Sequence, residues 1–79
     1  MQKFCMVITH NDTVIERRCG LHSRPHAWAC VQSHIASHLP ELLPIPQHII
    51  DSAVEHEYTE MQLGHRYFAT VLPQEQHLL

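Results

Sequence analysis

Two prolines, Pro25 and Pro40, constrain this chain more than any other feature. Proline lacks an N–H and fixes φ, so it is tolerated in the first turn of a helix and stops one that reaches it later. Ser23, just before Arg24-Pro25, supplies a capping hydroxyl. Between the prolines, Ala27, Trp28, Val31, Ile35 and Leu39 fall within one arc at about 100° per residue. Ser33 and Ser37 lie opposite. The segment is an amphipathic helix whose apolar stripe needs a second layer to bury it.

Strand formers on either side supply that layer. Residues 3–9 are followed by the turn signal His10-Asn11-Asp12-Thr13, and residues 13–19 form the return strand. A two-residue Asn11-Asp12 loop pairs Thr9 with Val14, Ile8 with Ile15, Met6 with Arg17 and Phe4 with Cys19. That register gathers Phe4, Met6, Ile8, Ile15 and Cys19 on one face, with Arg17 at its edge, and Gly20 ends the strand. Residues 66–72 form a further strand, stopped by Pro73, and 74–79 is expected to be a flexible tail. The connector Pro40–Pro46 is stiff, and its Leu42, Leu43 and Ile45 are expected to lid the core.

The stretch from 47 to 63 reads two ways. Ile49, Ile50, Ala53, Val54, Tyr58 and Met61 keep helical spacing, and Gly64 is a natural stop. The competing reading pairs 58–63 as a strand with 66–72, against which Glu60 and Gln62 share a face with Tyr58. Helix through at least Glu57 is the favoured expectation. Either way the fold class is α+β. A small antiparallel sheet, made of the N-terminal hairpin and one or two C-terminal strands, is covered on one face by one or two helices.

The chain of 79 residues allows a single domain, 1–79, with a thin stability margin. Its 44% hydrophobic and 16% charged residues are those of a folding chain, and favour a homodimer or a partner surface. The net charge of −3 and five basic residues disfavour nucleic acid; Arg17, Arg18 and Arg24 form the only candidate patch. The apolar run Phe4–Ile8 is too short for a signal sequence or a membrane span. The odd count of three cysteines argues against a disulfide framework, so a reducing cytoplasm is expected.

Nine histidines mark the chemistry, and protonating them all would move the net charge from −3 to +6. His22, His26, Cys30, His34 and His38 recur every four residues. Neighbours one helical turn apart can share an ion, so the candidate zinc site is His34 and His38 with a third ligand from elsewhere, or His26, Cys30 and His34, with His22 placed to close either set. No Cys-x2-Cys pair, the strong form of a zinc signal, is present. His56-Glu57-Tyr58-Thr59-Glu60 is a degraded version of a zinc-protease helix motif. Cys30 with His34 and Cys19 with His22 lack the surroundings of a catalytic thiolate. The candidate partner-binding residues are the acidic Glu55 and Glu57 and the adjacent aromatics Tyr67 and Phe68, which must face opposite sides of a strand. The expectation is a small non-enzymatic protein, inhibitor- or adaptor-like, that binds another protein. The alternatives are a histidine-rich zinc-binding domain and a weak nucleic-acid-binding regulator.

Overall fold

The computed structural model describes residues 2–77. It is an α+β structure with the order β1 (Phe4–His10), β2 (Thr13–Leu21), α1 (Arg24–His38), α2 (Gln47–Glu55), β3 (Glu60–Gly64), β4 (Tyr67–Pro73) and α3 (Gln74–His77). The strands form one antiparallel sheet in the order β2-β1-β4-β3, so β1 and β4 are central and β2 and β3 are edges. α1 packs on one face of this sheet, and α2 packs against α1.

The first hairpin turns where expected. Asn11 (φ 53°) and Asp12 (φ 65°) both take the left-handed conformation that a tight two-residue hairpin loop requires. Beyond Thr9–Val14 the pairing departs from the expected register. Ile8 lies opposite Glu16, Met6 opposite Arg18 and Phe4 opposite Leu21, because two irregularities insert extra residues into β2. Ile15 is the extra residue of the first and is largely exposed. Gly20, at φ 75°, accommodates the second, and the strand runs through it to Leu21 instead of ending there. Phe4, Met6 and Ile8 keep the helix-facing side as expected, with Leu21 in place of Ile15 and Cys19.

The slip sends Arg17 and Cys19 to the opposite, open face. There Cys19 bonds to Cys5 across the strand pair, with 4.1 Å between their Cα atoms. This corrects the placing of Cys19 on the helix-facing side and bears against the reading of the odd cysteine count as a chain without disulfides. Closing a loop of 14 residues stabilises the folded state by roughly 3 kcal/mol, chiefly by restricting the unfolded chain.

α1 spans the expected residues. The Ser23 hydroxyl accepts from the His26 N–H at 3.2 Å, Pro25 sits in the first turn, and the chain leaves helix before Pro40. Ala27, Trp28, Val31, Ile35 and Leu39 are buried against Met6, Ile8, Ala69 and Val71. The Trp28 ring is wholly enclosed and its indole N–H has no partner, an internal cost of burying the largest side chain. The Arg24 guanidinium lies 5.1 Å from the Phe4 ring centroid, a cation–π contact at the helix entrance.

The connector is fastened by one side chain. The Gln32 amide donates to the Ile45 carbonyl at 2.7 Å and accepts from the Ile45 N–H at 2.9 Å, as a neighbouring strand would. Ile45 is buried and Leu42 packs on the core, but Leu43 is 85% exposed instead of lidding it.

α2 ends at Glu55, short of the expected Glu57. The Tyr58 N–H reaches back to the Ala53 carbonyl at 2.9 Å and the Glu57 N–H to Val54 at 3.4 Å, with Glu57 at φ 54°. This is the double-bonded helix stop usually built on glycine. It redirects the chain into β3, so residues 60–64 follow the strand reading. The expected tail also docks. The Gln74 N–H donates to the Lys3 carbonyl, and its side-chain Oε1 accepts from the Gly20 N–H, both at 2.8 Å. Residues 78 and 79 of that expected tail lie outside the described residues.

Replacing Gln32 by Ala leaves the half-buried Ile45 N–H and C=O without partners. We expect a loss of about 1–3 kcal/mol, read as a lower urea midpoint at unchanged slope.

Candidate functional site

The helix histidines do not converge. His34 points its Nδ1 at Glu16 Oε2 of β2, 3.3 Å away, and its ring lies 4.8 Å from that of His38. His26 belongs to the helix entrance, where its Nδ1 accepts from the His22 N–H at 3.2 Å and the two rings stack at 5.4 Å. Cys30, between them, is half-buried and packs on the core. Among the described residues, no three His, Cys, Asp or Glu side chains form a group that could hold a metal ion. Cys19, three residues before His22, is in the disulfide. His56 caps α2, Glu57 is in the reversal and Glu60 opens β3, so the zinc-protease-like motif never shares a helix.

The cluster does have an electrostatic character. Burial between helix and strand holds His34 below its ordinary value of 6.5, an effect that Glu16 opposes. Glu16 is held below the usual carboxylate value of 4.5, first by the Arg17 N–H and further by His34 and Arg18. Arg17, Arg18 and Arg24 make no common patch. Arg18 pairs with Glu16 on the helix side, Arg17 lies on the open face, and Arg24 covers Phe4.

Tyr67 and Phe68 face opposite sides as the strand period demands. Tyr67 is buried on the helix side, where its ring stacks on His10 with centroids 3.9 Å apart and its hydroxyl donates to the Glu41 carboxylate. That bond lowers the Glu41 pKa and raises that of Tyr67. Tyr67 therefore anchors the connector and presents no free surface. Phe68 is half-buried on the open face beside Thr9 and Gln62.

Glu55 and Glu57 are exposed at the end of α2, immediately before β3. The edge they introduce was not among the expected sites. The Val71 N–H bonds to the Thr59 carbonyl, and in an antiparallel ladder bonded and unbonded pairs alternate. Met61 is thus bonded to β4, while the backbone groups of Glu60 and Gln62 point away from the sheet. Beside this edge lies a groove of about 380 Å³, lined by Leu43, Pro44, Ile49, Met61 and Leu63. The larger hollow between α1 and α2, about 430 Å³, is lined in part by Gln32, whose amide is already engaged with Ile45. The signal for the edge groove lay in the strand reading of 58–63, which puts Met61 and Leu63 on one side.

No protein-family model matches this chain, and neither a curated protein nor a solved structure shows significant similarity to it.

His34 gives a test of the cluster. Its pKa is depressed in the folded state, so the unfolded chain takes up the proton first. Stability should be highest above about pH 7 and fall as the pH drops through 6.5 toward the folded value. We expect the fall in urea midpoint between pH 7.5 and 5.5 to be shallower in His34→Gln than in the parent, and steeper in Glu16→Gln, where the carboxylate that favours the imidazolium is gone.

Proposed function

We propose that this protein is a small non-enzymatic binding module that captures an extended segment of another protein along β3. The observation that carries the reading is the juxtaposition of outward-facing backbone groups at Glu60 and Gln62 with an apolar groove that includes the 85% exposed Leu43. Strand addition supplies affinity through main-chain hydrogen bonds and specificity through pockets for alternate side chains. A segment added to β3 would set every second side chain toward Leu43, Ile49 and Met61. Glu55, Glu57 and Glu60 at the entrance favour a partner carrying lysine or arginine. The Gln62 amide donates to the Gly64 carbonyl at 3.1 Å, which partly protects this edge in the absence of a partner. β3 is five residues long, so capture of one segment is expected to be modest in affinity.

A display library of short peptides tests this reading. Selection should enrich sequences that alternate apolar and polar residues and carry basic ones. Leu43→Glu, which spoils the groove, and Gln62→Pro, which removes an outward N–H without touching the bonds to β4, should each lower binding at least about tenfold. The double variant Glu55→Lys, Glu57→Lys should weaken it less and in a salt-dependent way. Enriched peptides that bind the Gln62→Pro protein undiminished would end the proposal.

Zinc binding by His34 and His38 is the second reading, favoured only by their proximity on one helix. Native mass spectrometry of untagged protein decides it, since a stoichiometric ion lost in His34→Ala, His38→Ala would establish the site.

No helix among the described residues is long and apolar enough to cross a membrane. The compartment we propose is the cytoplasm, where thiol reductants oppose the Cys5–Cys19 bridge. Alkylation during lysis should then find at least part of the pair as thiols. A fully oxidised pair would move the protein to an oxidising compartment.

A further inference from the structure

The open face of the sheet carries a charge pattern complementary to itself. Strand register places Arg17 opposite Val7, Val7 opposite Thr70 and Thr70 opposite Glu60, so these four form one row across all four strands. The row has a cation at the β2 edge and an anion at the β3 edge, both exposed. A second row, on the side of the hairpin turns, runs Val14-Thr9-Phe68-Gln62. On the other side Leu72 stands beside the Cys5–Cys19 bridge. α1 lies on the opposite face, and α3 packs against β1 and β4 at the Lys3 end, where Gln74 holds its start.

We propose that this face binds a second copy of the chain, with the two-fold axis lying between the sheets, parallel to the strands and midway between β1 and β4. Such an axis reverses the strand order in the partner while keeping each row level. Arg17 of each copy then meets Glu60 of the other, Val7 meets Thr70, and Phe68 lies over Thr9 close to the axis. Facing sheets pack about 10 Å apart, a gap that an arginine and a glutamate reach across together. The alternative two-fold, perpendicular to the strands, sets Arg17 on Arg17 and Glu60 on Glu60. The charges therefore select one arrangement of the two.

The occupant is a copy of this chain because one surface supplies both halves of the complementarity, as an isologous interface requires. The face measures about 19 by 24 Å, from four strands side by side whose central pair, β1 and β4, are each seven residues long. Two such faces bury roughly 900 Å² together, the size of a weak, transient interface, so the dimer forms only at high micromolar concentration. This surface shares Glu60 with the entrance to the β3 groove but uses the sheet face and not the outward backbone of β3, so the proposal does not depend on that reading.

Sedimentation of the oxidised, untagged full chain at low salt, up to about 500 µM, tests it at the affinities such an interface supports. The parent should dimerise. Arg17→Glu and Glu60→Arg each create two like-charge contacts per dimer and should weaken self-association on the order of tenfold. An equimolar mixture of the two variants restores an opposite pair at both ends of the row. It should therefore associate within about threefold of the parent. Both positions are exposed, and circular dichroism checks that each variant is folded. Phe68→Asp, near the axis, should also weaken the dimer. A parent that stays monomeric throughout overturns the proposal, as does a mixture that associates no better than its components.

Discussion

Everything in this fold is arranged around a strand buried on both sides. Phe4, Cys5, Met6, Val7 and Ile8 are five consecutive buried residues, although α1 covers only one face of the sheet. Such a strand has to be central, which fixes β2 on one flank and β4 on the other and leaves β2 and β3 as edges. On the helix side, Met6 and Ile8 meet the α1 stripe. On the open side, Cys5 is closed off by its bridge to Cys19, and Val7 is 8% exposed between Arg17 and Thr70. The disulfide therefore belongs to the packing of the open face as well as to the hairpin. It also ties the edge strand β2 to the centre where irregular pairing has loosened the ladder.

The parts of this architecture that depend on local chemistry were legible in the sequence. Ser23, Pro25 and Pro40 bracket α1 because capping and the missing proline N–H act within a turn. Asn11-Asp12 predicts the hairpin because few other residues tolerate positive φ twice running. What depends on distant partners was not legible. The extra residue at Ile15 shifts the register so that Cys19 comes opposite Cys5, and the irregularity at Gly20 follows it. Read by alternation, Cys19 belongs with Phe4, on the face opposite Cys5. The continuous run Phe4–Ile8 held the missing hint, since an alternating strand with one solvated face does not place apolar side chains on both. The end of α2 shows the same limit. Helical spacing continues past Glu57, but the Tyr58–Ala53 backbone bond and a left-handed Glu57 close the helix, a stop that glycine would have announced and glutamate does not.

The candidate sites divide along similar lines. A spacing of four puts His34 and His38 near each other, and the structure keeps them so. Yet successive steps of four drift about 40° around a helix, and His26 and His34 engage different partners. The strand period separated Tyr67 from Phe68 correctly but did not show which was free. Tyr67 turns inward because its hydroxyl finds Glu41 on the connector, a residue 26 positions away. Leu43 is the reverse case, an apolar residue expected in the core and left outside because Gln32 pins Ile45 there instead.

The two proposed surfaces have a geometric consequence together. With the two-fold axis between β1 and β4, the β3 edge of each copy lies over β2 of the other, and the two free edges point outward in opposite directions. Each edge is short, and five residues of main chain give few hydrogen bonds to a single captured segment. A partner that presents two such segments, or is itself dimeric, would engage both edges, and the second contact would then form at the effective concentration set by the first. Modest affinity per edge becomes an advantage in that arrangement, because it discriminates paired targets from single exposed strands. The same logic explains why the edges are only partly protected. Gln62 folds its amide back on Gly64 and Glu60 adds charge, devices that discourage sheet extension by unsuitable strands while leaving the backbone of β3 open to a complementary one.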